Sequence, residues 1–352
     1  MTDKMNTWID GNILDADDLM DTISHVRFIP VKYTGAATDG ARVIAWSTTA
    51  WTTGRRETTD SGATWSNDMG LTSVAILAQS DVTAGRAVSI RAASGNNRWS
   101  TNIGSTWTVP TTQPANCTTI FELSYPVDAY VAAFGTRSGG SFGAWYSVNG
   151  GDDWTQATGT DTANFVGGDF FDANTGYAVT NAGAIWTTTN GGTNWTDTTN
   201  TITTGGGTNR ATVYTITTDT AIIVTTGNAG NAILNIHTYV DSTNTATEVF
   251  STEGNYGRLS KIIKSSNTNY YFIAMIFGED TAGVQKCNGY HIFKSDDAGA
   301  TWSVFTMSSA FINFGELSDG FTNANFAEYD TNKFLLADDK NVWTLNLRDD
   351  VS

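Results

Sequence analysis

An octet of the form Ser/Thr-x-Asp/Asn-x-Gly-x-x-Trp recurs along this chain and constrains its fold more than any other feature. Asp and Asn side chains accept backbone N–H bonds in tight turns, and Gly adopts positive φ, so the octet predicts a repeated hairpin. The defining residues of the five copies are Asp60, Gly62 and Trp65; Asn102, Gly104 and Trp107; Asn149, Gly151 and Trp154; Asn190, Gly192 and Trp195; and Asp297, Gly299 and Trp302.

The spacing of the octets predicts the architecture. The steps between successive tryptophans are 42, 47 and 41 residues from Trp65 to Trp195, and 107 residues, room for two units, separate Trp195 from Trp302. About 40–50 residues is the length of one four-stranded propeller blade. We therefore expect an all-β fold, a seven-bladed β-propeller of four-stranded antiparallel blades.

The expected blades extend to both sides of the octets. Asp241–Asn244 looks like a degenerate copy within the long gap, and Asn341–Thr344 matches the strand that precedes each octet. The predicted blades are near residues 26–67, 71–109, 116–158, 163–199, 208–251, 256–306 and 311–349. Only three strands are visible in the last blade, so it closes either with an N-terminal strand or with a gap, since an unpaired edge is a liability.

The octets resemble Asp-box repeats, also called bacterial neuraminidase repeats. Proteins with such repeats include sialidases, other glycoside hydrolases, photosystem assembly propellers and many binding propellers. The resemblance covers about residues 26 to 349 as a pattern. It implies the propeller fold, with the tryptophan inserted between sheets, and it implies little about function, because the box is a structural hairpin usually remote from any active site.

Residues 1–25 lie outside the repeat, which divides the chain into an N-terminal segment and a propeller domain, 26–352. Asp15 is a plausible N-cap of one helical turn, and Leu14 before it can pack on Leu19 as a hydrophobic staple. Leu19, Met20 and Ile23 add an apolar stripe to this turn. The turn either anchors the protein to a partner or simply covers one end of the propeller.

The same segment resembles the opening of tailed-phage fibre and appendage proteins, through Trp8, Gly11 and the run Leu14–Met20. That resemblance implies a virion structural protein, a fibre, spike or surface-decoration protein on the capsid or tail surface. Its N-terminus would dock on other virion proteins, and its propeller would bind a host-surface glycan or receptor or another virion protein. Such a protein is made in the host cytoplasm without a signal peptide, and residues 1–6 show no apolar signal sequence.

Two other classes stay open, a sialidase-like glycoside hydrolase and a cellular assembly-factor or protein-binding propeller. Arg27–Pro30 lies where sialidases carry an aromatic-Arg-Ile-Pro motif, but the order differs here. Because strand side chains alternate between faces, moving the arginine by one residue turns it away from the central site unless a bulge intervenes. The remaining sialidase residues cannot be placed, so we expect no catalytic residues and no enzyme.

Binding residues are expected on the loops opposite the octet hairpins, because loops on a rigid scaffold carry function. Exposed aromatic and charged side chains there could stack on sugars or pair with them. The candidates are Trp51, Arg55, Arg56, Arg137, Phe142, Arg210, Glu279 and Asp280. Solvated loop residues are the alternative interpretation of each.

Charge and composition exclude some partners. The net charge of −16 repels phosphate backbones, so nucleic acid is not expected. Cys117 and Cys287 have no zinc-type spacing, and the three histidines are not spaced as ligands, so no metal and no cofactor are expected. The longest apolar run, 270–277, is too short to span a bilayer, so membrane insertion is not expected either.

Overall fold

The structure is a computed structural model. It describes residues 26–30, 43–47, 56–58, 66–67, 76–79, 86–90, 97–102, 106–137, 142–160, 163–202, 208–227, 233–254, 256–264, 267–279, 285–306, 325–330, 333–337 and 342–346. The predicted N-terminal helical turn, with the anchoring residues Trp8 to Ile23, lies outside them. Within the described residues the regular elements are all β-strands, so the all-β prediction is confirmed.

Four sheets have four antiparallel strands that pair in chain order. Sheet 1 contains β1 (Val26–Pro30), β2 (Val43–Ser47), β3 (Arg56–Thr58) and β4 (Ser66–Asn67); sheet 3 contains β8 (Cys117–Val127), β9 (Tyr130–Arg137), β10 (Phe142–Ser147) and β11 (Thr155–Gln156); sheet 4 contains β12 (Phe165–Phe170), β13 (Gly176–Thr180), β14 (Ala184–Thr188) and β15 (Thr196–Thr201); and sheet 5 contains β16 (Thr208–Thr215), β17 (Thr220–Gly227), β18 (Ile233–Val240) and β19 (Thr245–Glu253). These are the four-stranded blades that the repeat predicts.

Three further sheets depart from four strands in the described residues. Sheet 2 contains β5 (Ile76–Gln79), β6 (Ala87–Ile90) and β7 (Arg98–Ser100); sheet 6 contains β20 (Tyr256–Leu259), β21 (Ile263–Lys264), β22 (Tyr270–Glu279), β23 (Gln285–Ser295) and β24 (Ser303–Thr306); and sheet 7 contains β25 (Asn325–Asp330), β26 (Lys333–Ala337) and β27 (Val342–Asn346). In sheet 6, β20 and β21 both pair with β22, so its first strand is interrupted. The prediction of four strands in all seven blades is therefore met by four sheets only.

The first strands of successive sheets lie side by side. β8 contacts both β5 and β12, and β16 contacts β12 and β20. β1 contacts β5 and also β25, so the first and last sheets are neighbours. Sheets arranged radially, with their first strands innermost and the first sheet beside the last, form a β-propeller.

The octets form the hairpins between third and fourth strands, as their turn chemistry predicts. Ser147–Trp154 joins β10 to β11, and the Ser147 Oγ accepts the Gly151 N–H at 2.8 Å. The Asn149 Oδ1 accepts the Asp153 N–H at 2.8 Å, and the Trp154 Nε1 donates to the Gly151 carbonyl at 2.9 Å. The same bonds to serine or threonine and to Asp or Asn recur in the octets ending at Trp195 and Trp302.

The fifth position of the octet needs glycine for two reasons. Gly151 has a φ of 100°, which side chains rarely adopt. A Cβ added there would also be 2.3 Å from the Cγ1 of Val88, on the preceding sheet. The octet therefore packs one blade against the next.

The octet tryptophans fill the space between sheets, as predicted. The Trp195 ring lies 5.9 Å from the Phe134 ring of sheet 3 and 5.6 Å from the Phe170 ring of sheet 4. The Trp302 ring lies 5.3 Å from Phe272 in sheet 6. Trp107 differs, since it is only half-buried. Asp60, Gly62, Trp65 and Gly104 lie outside the described residues, and the degenerate copy Asp241–Asn244 forms the turn between β18 and β19.

Candidate functional site on the inner strands

The innermost strands of sheets 3, 4 and 5 carry a polar cluster. Each innermost strand is the edge of its sheet, with backbone N–H groups that no neighbouring strand of the sheet pairs. Glu122 Oε2 accepts the Gly168 N–H at 3.0 Å, Ser124 Oγ accepts the Phe170 N–H at 3.0 Å, and Asp169 Oδ2 accepts the Thr215 N–H at 3.0 Å. Polar side chains of one blade thus cap the edge of the next.

Asp169 on β12 is the half-buried carboxyl of this cluster. Its Oδ1 accepts the Ser124 hydroxyl at 2.7 Å. Its Oδ2 accepts the Thr215 hydroxyl at 2.9 Å, in addition to the Thr215 N–H. The Asp169 carboxyl thus accepts three hydrogen bonds, two from side-chain hydroxyls and one from a backbone N–H.

Glu122 on β8 is the buried carboxyl, with 5% of its surface exposed. Burial raises its pKa to about 8, because desolvation opposes the charged form. The charge of Lys261 and the Gly168 N–H lower the pKa by smaller amounts, and the Asp169 charge raises it. Glu122 is therefore mainly protonated at pH 7, beside a carboxylate that accepts hydrogen bonds only.

Glycine at the start of the facing strand lets the acid come close. A Cβ added to Gly167 would be 2.5 Å from the Ala211 carbonyl oxygen of sheet 5 and 3.0 Å from the Glu122 Oε2. The Thr212 hydroxyl of the same sheet lies 3.4 Å from the Glu122 Oε1. Three blades therefore meet at Glu122.

A cation completes the cluster. The Lys261 Nζ of sheet 6 donates a hydrogen bond to the Leu123 carbonyl, next to Glu122 in sheet 3. A protonated carboxyl can donate a proton, a neighbouring carboxylate can accept one or stabilise positive charge, and an ammonium can bind an oxygen. The cluster thus has the groups that acid–base chemistry requires.

Several residues that we predicted for ligand binding flank the connections between second and third strands. Arg137 ends β9 and is half-buried, Phe142 begins β10, and Glu279 ends β22. Arg56 begins β3, whereas Arg210 lies within the innermost strand β16, paired with Thr226. Trp51, Arg55 and Asp280 lie outside the described residues. The ligand-binding role of all eight residues stays a prediction.

Sequence reasoning missed Glu122, Asp169 and Lys261. A signal was present, because Glu122 and Ser124 alternate with Phe121, Leu123 and Tyr125, which places both polar side chains on one face of the strand. Asp169 follows the pair Gly167–Gly168 in the innermost strand of the next blade. Comparing equivalent positions of successive blades would have brought these residues together.

Metal sites and membrane spans were searched in the part of the chain that the structure describes. It contains no group of three or more His, Cys, Asp or Glu side chains placed to hold a metal ion. Nor does it contain a helical segment with the length and hydrophobicity that a membrane span requires. Cys117 is buried in the core of sheet 3.

Similarity to known proteins is visible in structure and not in sequence. No family model matches the chain, and no curated protein matches it. A GH74 enzyme of Niastella koreensis superposes with a TM-score of 0.59 at 19% identity, over 92% of this chain and 52% of that one. This chain thus spans about half the length of that enzyme. Membership of an Asp-box or tail-fibre family is not shown.

Two further structures match over nearly their whole length. YCF48 bound to D1 peptide has a TM-score of 0.54 at 12% identity, covering 92% of this chain and 95% of that one. An oligogalacturonate lyase in complex with manganese has a TM-score of 0.57 at 10% identity, covering 96% of this chain and 93% of that one. At these identities the likeness shows the β-propeller fold alone.

The expectation that the chain is not an enzyme is wrong. It relied on the absence of a recognisable catalytic set in the sequence, yet enzymes are prominent among the structural neighbours. The inner strands also bring together two carboxyls that sequence reasoning did not consider. Catalysis is therefore open to test, with the inner-strand cluster as the place to test it.

Proposed function

We propose that this chain is a carbohydrate-active β-propeller with the inner-strand cluster as its active site. The observation that carries the proposal is the pairing of a buried, protonated Glu122 with the hydrogen-bonded carboxylate Asp169 on adjacent blades. Carboxyl pairs in which one is kept protonated by burial and the other stays ionised are the groups that cleave glycosidic bonds. A GH74 glycoside hydrolase and an oligogalacturonate lyase are among the neighbours that share the fold, which supports a carbohydrate as substrate.

In the proposed reaction Glu122 is the proton donor. A pKa of about 8 keeps the proton on Glu122 at neutral pH, where it can be given to the oxygen of a leaving sugar. Asp169 supplies the negative charge that the oxocarbenium-like transition state requires as the glycosidic C–O bond breaks. A water molecule then bonds to the anomeric carbon, and its proton returns to Glu122. The hydroxyl groups of Ser124 and Thr215 hold that carboxylate in place. The net charge of −16 favours a neutral sugar over a polyanion.

The test is a panel of neutral polysaccharides and oligosaccharides, assayed for cleavage and for binding. We expect turnover by the wild-type chain, and a loss of at least about 100-fold in kcat in Glu122→Gln, the size typical of a missing general acid. Glu253→Gln is the matched control, because Glu253 has an exposed side chain on the outer strand β19. Binding without turnover, or equal kcat in both variants, refutes the catalytic proposal.

We also propose that the ring has seven blades and forms one domain over 26–352. Contact between β1 and β25, and the order of the inner strands, support this count. An experimental map of the whole chain tests it, and a different number of sheets around the channel would contradict it.

The virion location remains a proposal based on the N-terminal segment, Trp8 to Ile23, which lies outside the described residues. It concerns where the protein acts and is compatible with carbohydrate chemistry. We propose docking of this segment on other virion proteins, with a host-surface glycan as the ligand of the propeller. A protein-binding propeller is the alternative that the fold shared with YCF48 supports, and binding of a protein in place of a glycan would favour it.

A further inference from the structure

The innermost strand of sheet 6 is interrupted, and the interruption is built by a side chain. The Ser260 N–H donates to the Ile273 carbonyl at 2.9 Å, while the Ile273 N–H donates to the Ser260 Oγ at 3.0 Å. The hydroxyl thus replaces a backbone carbonyl in the ladder, and β20 and β21 continue on either side of it. Irregularities of this kind redirect a neighbouring side chain.

The side chain at this interruption is Lys261. Its Nζ bonds to the Leu123 carbonyl on β8, in a sheet that is not adjacent to its own. Sheets 4 and 5 lie between them, because β8, β12, β16 and β20 contact one another in that order. The bond therefore crosses the central channel.

The charge of Lys261 acts on the Glu122 carboxyl. Glu122, next to Leu123, is affected by the positive charge of Lys261 and by the negative charge of Asp169. An opposite charge within about 4–6 Å typically lowers the pKa of a carboxyl by 1–3 units. Burial still has the larger effect at Glu122, so the charge of Lys261 lowers the pKa of this carboxyl without making the ionised form dominant at pH 7.

We propose that Lys261 is a positioning residue, which crosses the channel to bridge blades 3 and 6 and holds a positive charge beside the Glu122 carboxyl. Through this contact it adjusts the proton affinity of Glu122. A role of Lys261 in catalysis rests on the proposed function, whereas its effect on the proton affinity of Glu122 does not.

The test follows the Glu122 carboxyl by ¹³C NMR of the full chain labelled at glutamate, with Glu122→Gln to assign the signal. Lys261→Met removes the charge and should raise the titration midpoint of Glu122 by about 1 pH unit. Lys261→Arg should keep the midpoint within a few tenths of the wild-type value. Lys264→Met, at an exposed lysine on β21, is the matched control and should leave the midpoint unchanged.

An unchanged midpoint in Lys261→Met, or an equal shift in Lys264→Met, overturns the proposal. Near-UV circular dichroism checks the fold of each variant, and Lys261→Gln serves if the methionine variant does not fold. The readout needs no substrate, so a shifted midpoint in a chain without glycosidase activity would refute the proposed function alone. If the chain is active, the alkaline limb of kcat/KM should move up with the same midpoint.

Discussion

The buried acid Glu122 makes the stability of the propeller depend on pH in an unusual direction. Its pKa rises from 4.5 in the unfolded chain to about 8 in the folded one. Between these values the folded state binds a proton that the unfolded state lacks. The contribution of Glu122 to the free energy of unfolding is therefore full below about pH 4.5, and it is lost as the pH rises through about 8.

The size of the effect follows from the span of this window. Each pKa unit corresponds to about 1.4 kcal/mol, so the passage from 4.5 to about 8 amounts to roughly 5 kcal/mol at most. A loss of this size is comparable to the whole stability of many domains. Most carboxyls act in the opposite sense, because pairing lowers their pKa in the folded state.

Glu122→Gln isolates this contribution. The amide keeps an oxygen that can accept the Gly168 N–H, and it cannot ionise. In urea unfolding followed by tryptophan fluorescence at pH 5, 6, 7 and 8, we expect the variant to gain stability relative to wild type as the pH rises. Glu253→Gln, at an exposed side chain of the outer strand β19, should follow wild type throughout. Parallel curves for wild type and Glu122→Gln would refute the assigned protonation state.

Three further predictions concern the octets and the N-terminal segment. Gly151→Ala should lower the free energy of unfolding by about 3 kcal/mol, because a positive φ and the contact with Val88 both oppose a Cβ. Gly159→Ala is the control: its φ is also positive, but the nearest atom to an added Cβ is 3.6 Å away, so it should lower the free energy of unfolding by about 1 kcal/mol. Equal losses for the two variants in thermal and urea unfolding would contradict the packing role of Gly151. Trp154→Phe should lower the free energy of unfolding by about 1 kcal/mol more than Trp195→Phe. Of these two indoles, the Trp154 Nε1 donates to the Gly151 carbonyl, whereas the Trp195 Nε1 has no hydrogen-bond partner. An equal loss in both variants would show that the indole hydrogen bond adds nothing to stability. The chain should be found by mass spectrometry in purified virus particles from its source, and its loss on deleting the N-terminal segment would support docking, whereas absence from particles would refute the virion location.

Much of the fold was predictable because the octet is a local structure. The serine, asparagine, glycine and tryptophan of Ser147–Trp154 bond within eight residues, so their roles could be inferred without knowing the remainder of the chain. The limits predicted for sheet 1, residues 26 and 67, match the first and last residues of β1 and β4. These positions could be predicted because their hydrogen bonds are local in sequence.

The departures from the repeat were not predictable in the same way. Sheet 6 carries an interrupted strand because a serine hydroxyl replaces a carbonyl, and no turn residue marks that site. Arg210 was expected at the end of a loop, but it pairs with Thr226 within an inner strand. Both depend on which strand lies beside which.

By itself, the sequence determined the repeat, the turn chemistry of the octets and the placement of their tryptophans, since each depends on residues close together along the chain. Only the tertiary structure decided the candidate site. Glu122, Asp169 and Lys261 are 47 and 92 residues apart in the chain, and they meet because the inner strands of different blades face one channel. Their protonation depends on burial by several blades, which no local pattern encodes.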